Sequence, residues 1–74
     1  MNLKKRVARL KLIISLTSIR SKPVVNALTR HYAEDIPEQT CIEESGITHS
    51  NFNRAARKVV EVEDTIQKIK ELEE

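Results

Sequence analysis

Gly46 is the only glycine in the chain, and it falls between two runs of helical character. Upstream, Glu38–Glu44 reads as a short helix. Downstream, a second helix opens on Thr48. Gly46 can take the positive φ that ends a helix sharply, a conformation a residue with a Cβ tolerates poorly. Ile47 follows as an apolar plug between the helices, and Thr48 is a good N-cap. Two helices joined by a short turn containing Gly are the sequence form of a helix-turn-helix. The unit spans 37–60.

The second helix divides into two faces. Phe52, Ala55, Ala56 and Val59 recur at helical spacing and face a core. Thr48, His49, Ser50, Asn51, Asn53, Arg54, Arg57 and Lys58 are the candidates for the outer side. In such folds the N-terminal part of the recognition helix presents its side chains to base edges in the major groove. Asn pairs bidentately with adenine and Arg with guanine. Lys58 and Arg57 are better placed for phosphates, and the Thr48 or Ser50 hydroxyl for a phosphate at the helix N-terminus.

The rest of the chain reads as helices around this unit. Leu3, Val7, Leu10, Ile14 and Thr17, widened by Ile13 and Leu16, make an amphipathic helix that should end near Ile19, within a basic segment 1–20. Its Lys4, Lys5, Arg6, Arg9 and Lys11 lie mostly off the apolar seam, either contacting phosphates or forming a solvated face. Ser21 or Lys22 caps a second helix with Pro23 in its first turn. Val24, Val25, Leu28 and Tyr32 carry it to about Ala33, and His31 and Tyr32 are read as structural or surface groups. Residues 34–37 form a linker, and Asp35 or Ile36 should cap the helix that Pro37 begins.

Past Lys58 no Gly or Pro interrupts the pattern. Taking Phe52, Val59 and Ile66 as a positions makes Ala55, Val62 and Ile69 the d positions, so recognition and assembly share one long helix. Leu72 lies just off that seam. Glu61, Glu63, Asp64, Glu71, Glu73 and Glu74 make the other faces of the 59–74 tail acidic. An apolar stripe of this kind needs a partner helix. Val59, Val62, Ile66 and Ile69 are the expected dimerisation residues, with the basic first helix as the alternative partner for the tail.

Charge placement says more than the net charge of +2. Residues 1–22 hold seven Lys/Arg and no acid, and residues 34–44 hold five acids and no base. Residues 54–58 hold three bases, while residues 61–74 hold six acids against two lysines. The acidic tail is repelled by phosphate and so must point away from DNA or neutralise the first helix.

Charged residues at 32% and aromatic residues at 3%, with few turn formers, argue for an all-α domain of about four helices with a long C-terminal helix. A domain of this size has a core worth about 3–5 kcal/mol, and one Cys closes no internal disulfide, so helix packing or self-association must supply stability. Arg9 and Lys11 interrupt the apolar stretch that a signal peptide or a membrane span would need. A cytoplasmic setting is expected, with no membrane partner. No Gly-rich phosphate loop or Cys/His pair is present, and His31 and His49 fall on different helices. Neither catalysis, a cofactor, a metal nor a small-molecule substrate is expected.

Ser18-Ile19-Arg20-Ser21-Lys22, then Val24-Val25-Asn26-Ala27-Leu28, then the block from Cys41 to Phe52, resemble the PapB/FocB family of fimbrial (adhesin) operon regulators. The likeness runs from about Ile14 to Val60. A more distant resemblance is to the KorA-like plasmid repressors, through the turn and recognition helix. The resemblance implies a small helical bacterial regulator that binds AT-rich repeats in double-stranded DNA and assembles as an oligomer. Where that family opens its recognition helix with two asparagines, this chain has Thr48-His49, so base preference does not carry across. The alternative reading is a helical adaptor or antitoxin-like dimer that uses its heptad tail to bind another protein.

Overall fold

The computed structural model describes residues 2–73 and is all-α, with four helices. Glu74, counted above among the tail's acids, lies outside the described residues. The helices are α1 (Leu3–Ser15), α2 (Lys22–Tyr32), α3 (Glu38–Ser45) and α4 (His49–Glu73).

Each boundary has a local cause. Asn2 caps α1, its side-chain oxygen accepting the Lys5 N–H at 2.9 Å. The helix ends at Ser15, short of the expected Ile19, because Thr17 turns the chain. The Thr17 hydroxyl donates to the Ile14 carbonyl at 2.6 Å and accepts the Ile19 N–H at 3.1 Å. Such local side-chain bonds compete with helix continuation. Arg20 then donates to the Thr17 and Ile19 carbonyls, both at 2.8 Å. Ser21 is the N-cap of α2, with Pro23 in its first turn as expected.

The linker after α2 is more structured than its sequence suggests. Asp35 adopts φ +58°, and the Ile36 N–H reaches back to the Arg30 carbonyl at 3.1 Å. The Ile36 carbonyl lies 2.8 Å from His31 Nδ1, so it is held from outside the next helix. The first helical bond of α3 therefore runs from Cys41 N–H to the Pro37 carbonyl at 3.1 Å. Pro37, rather than Asp35 or Ile36, is the N-cap. At the other end Gly46 sits at φ +69° and its N–H donates to Ile42, the left-handed termination expected of it.

Thr48 caps α4, its hydroxyl oxygen accepting the Asn51 N–H at 3.0 Å. The helix then runs unbroken for 25 residues, about 37 Å. The second helix of the Gly46 turn and the acidic tail are one helix, as the spacing predicts.

Leu10, Ile13 and Ile14 of α1, Ile19, Ala27 and Leu28 of α2, Ala33, Cys41 and Ile42 of α3, and Phe52, Ala55 and Val59 of α4 form one core. Phe52 is at its centre, its ring edge-on to His31 at 5.6 Å between centroids. Val59 is 0% exposed in the single chain. This corrects its assignment as a dimerisation residue. The apolar seam of α4 is consumed by its own domain as far as Val59, because α1 and α2 pack across it. Val62 and Ile66 are half-buried against the same core, and Ile69 is exposed.

Candidate nucleic-acid interface

The outer side of α4 carries two columns of polar side chains. Asn51, Arg54 and Lys58 follow i, i+3, i+7 spacing, and His49, Asn53 and Arg57 follow i, i+4, i+8, so each set lies along one line of the helix. Ser50 falls between them. All are exposed except Lys58, which is half-buried. Phe52, Ala55 and Val59 on the opposite side fix the helix in rotation, so the columns point outward because the core cannot be moved.

The first column meets another part of the chain. Asn51, Arg54, Ala55 and Lys58 line a shallow depression with Ile19, Arg20, Ser21 and Val24. Lys58 Nζ donates to the Ser18 hydroxyl at 3.3 Å, tying α4 to the α1–α2 loop. The N-terminus of α2 opens beside this depression. The Ser21 side chain makes no capping bond, so it does not occupy the first N–H groups of the helix. Arg20 and Ser21 thus join the site, with Lys22 as their neighbour at the start of α2. Sequence reasoning placed them in a basic segment and at a helix cap; only the packing of α2 across α4 brings them beside Arg54.

Three bases of the chain are paired with carboxylates. Arg6 pairs with Asp35, Arg9 lies 3.6 Å from Glu63, and Arg30 lies 2.6 Å from Glu44. These three make internal contacts, so Arg6 and Arg9 take neither of the two roles left open for them, phosphate contact or a solvated face, without first giving up a carboxylate partner. Among the described residues, Arg20, Lys22, Arg54, Arg57 and Lys58 have no carboxylate partner within 4.0 Å. Arg20, Arg54 and Lys58 line the depression with the Asn51 amide and the Ser21 hydroxyl, Lys22 and Arg57 flank them in sequence, and the acids of the tail begin only at Glu61. Such a surface can take up an anionic backbone and donate to acceptors on base edges.

Thr48 keeps its own hydroxyl proton while capping, since the Asn51 bond uses only its oxygen. Three titratable groups away from this surface, Cys41, Tyr32 and His31, are packed at the core. Burial pushes the Cys41 thiol up, and it lies in the core, where a nucleophile would have no access. Burial also raises the Tyr32 phenol, helped by Glu63 and Glu38. His31 spends Nδ1 on the Ile36 carbonyl and its ring on Tyr32 and Phe52. Among the described residues no three His, Cys, Asp or Glu side chains are grouped to hold a metal ion. No helix among them is long and apolar enough to cross a membrane.

The chain matches no family model, no curated protein and no solved structure, so its function is argued from this surface.

Proposed function

We propose that this protein is a sequence-specific DNA-binding transcription regulator that acts as a homodimer. The N-terminal half of α4 enters the major groove, and Arg20, Ser21 and Lys22 hold the flanking phosphates. The observation that carries this reading is the convergence of three carboxylate-free bases, Arg20, Arg54 and Lys58, from two separate parts of the chain, on one shallow depression that also holds the Asn51 amide and the Ser21 hydroxyl. Asn51 and Arg54, at the centre of that surface, are the side chains suited to base edges. His49, Ser50 and Asn53 complete the readout, while Thr48, Arg57 and Lys58 position the backbone. The resemblance to fimbrial operon regulators supports double-stranded DNA as the partner and the bacterial cytoplasm as the setting, while Thr48-His49 leaves the base preference to be measured.

The test is retention on duplex DNA. Replacing Arg54, Arg57 and Lys58 together by Gln should abolish binding at low salt and leave helical content unchanged. Wild-type affinity should fall steeply with salt, because each phosphate contact releases counterions. Selection of genomic fragments followed by footprinting would then give the operator. The adaptor reading is favoured by the apolar end of α4; it would replace this proposal if the wild-type protein never binds duplex DNA at low salt.

A further inference from the structure

Side-chain hydrogen bonds hold the turn between α1 and α2 in one shape. The Thr17 hydroxyl donates to the Ile14 carbonyl at 2.6 Å and accepts the Ile19 N–H at 3.1 Å. The Ile19 side chain fixes the turn from below, since it belongs to the core. With the backbone held at both points, the Thr17 and Ile19 carbonyls converge on one atom: Arg20 Nη1 donates to each at 2.8 Å. Ser18 of the same turn accepts Lys58 Nζ of α4 at 3.3 Å.

Arg20 is exposed. An exposed arginine ordinarily samples many rotamers, and ordering it on a ligand costs conformational entropy. Here that entropy is given up on folding. Nη1 carries two hydrogens, and the two carbonyls use both. Among the described residues no hydrogen bond uses Arg20 Nε or Nη2, and no carboxylate lies within 4.0 Å of the guanidinium. The open edge is therefore Nε–Nη2, a fork of parallel N–H groups that matches two oxygens of one phosphate. Lys58, with two hydrogens left after Ser18, lines the same depression as Arg20. So does Ser21, whose hydroxyl makes no capping bond. The ionisable groups lining the depression, Arg20, Arg54 and Lys58, are all bases, so it takes an anion.

We infer that the 17–20 turn is a preformed clamp for one DNA phosphate and that Thr17 is its positioning residue. Thr17 makes no contact with DNA; it holds the two carbonyls that hold Arg20. The clamp rests on the DNA-binding reading above and says how one of its phosphate contacts is made. It also gives the early end of α1 a function. Were the helix continued through residue 19, the Thr17 carbonyl would point along the helix axis, and the two acceptors would not converge on Arg20.

Two substitutions isolate the hydroxyl. Thr17→Val keeps the shape of the side chain and removes the hydroxyl, while Thr17→Ser keeps the hydroxyl. Duplex affinity of Thr17→Val should fall about three- to tenfold, the cost of ordering one free side chain on binding. Thr17→Ser should restore most of it. The salt slope of Thr17→Val should equal that of the wild type, because Arg20 still reaches its phosphate, whereas Arg20→Gln should lower the slope by about one. In an Arg20→Gln background Thr17→Val should have no further effect. A merely destabilising change would weaken binding in both backgrounds, so the double-mutant cycle separates positioning from stability.

Nuclear magnetic resonance of the free protein reads the anchor without DNA. The Arg20 Nη1 hydrogens should give separate, slowly exchanging signals in the wild type and one averaged signal in Thr17→Val. Three results overturn the clamp and leave the DNA reading standing: Thr17→Val binding duplex as tightly as the wild type, a loss that adds in full to that of Arg20→Gln, or averaged Arg20 signals in the wild type. A wild-type chain with Arg20 anchored that binds no duplex at low salt overturns the DNA reading and the clamp with it.

Discussion

Arg6 grips Asp35 through both carboxylate oxygens, at 3.0 and 2.9 Å, and donates in the same reach to the Tyr32 carbonyl at 3.0 Å. One guanidinium on α1 thus closes the C-terminal end of α2 and holds the residue that turns the chain at positive φ. A cation at a helix C-terminus also complements the helix dipole. The hydrogen bonds from Arg6, and then its charge, hold the Asp35 carboxyl below the usual aspartate range.

That depression gives a signed pH dependence. Asp35 takes up its proton at lower pH folded than unfolded, so its contribution is complete above the unfolded value of about 3.9 and is lost as pH falls through the folded one. Thermal melts from neutral to strongly acid pH should show the wild-type chain losing more stability than Asp35→Asn in that window. Equal acid losses for the two proteins would remove Asp35 from the account. Asn keeps tolerance of positive φ, which isolates the charge.

Gly46→Ala should cost about 1–2 kcal/mol in urea unfolding, the penalty of placing a Cβ in left-handed backbone. The cost is purely conformational, because a Cβ there would meet no atom within 4 Å. Gly46→Asn should recover part of it, as asparagine visits this region more readily.

Val59 and Ile69 occupy the same apolar pattern and should respond oppositely to one substitution. Val59→Asp places an unpaired carboxylate in the core and should unfold the chain by circular dichroism. Ile69→Asp should leave the helical signal and melting of the single domain within about 0.5 kcal/mol, because its side chain is half exposed and outside the core. It should lower only the dimer fraction seen in sedimentation.

Arg20 and Lys22 separate the tertiary interface from the helix alone. Arg20→Gln with Lys22→Gln should weaken binding evenly across DNA sequences and reduce the salt slope by about two, as loss of two phosphate contacts requires. Lys4→Gln with Lys5→Gln, which neutralises the same number of charges at the far end of α1, should change the slope less. Equal effects from the two pairs would mean that only net charge matters.

How far these features were legible depends on the range over which each is decided. The helix breaks at Gly46 and Pro37, the Thr48 cap and the continuity of α4 follow from one to four residues of local chemistry, and the sequence carries them. The early end of α1 is also local, but it depends on the Thr17 hydroxyl choosing backbone partners, which apolar spacing does not register. The outward set from His49 to Lys58 could be named because Phe52, Ala55 and Val59 define the opposite face.

Periodicity by itself determined that α4 has an apolar stripe from Phe52 to Ile69; it does not say what covers the stripe. Tertiary structure decided that α1 and α2 cover it as far as Val59, which turned an expected dimer contact into core and left only the distal turns free. It also decided which bases remain available, since Arg6, Arg9 and Arg30 are spent on carboxylates distant in sequence while Arg20 is carried to Arg54. The physical reason is the same in both cases. A side chain's local pattern sets the face it occupies, but burial and ion pairing are set by whichever distant segment packs against that face.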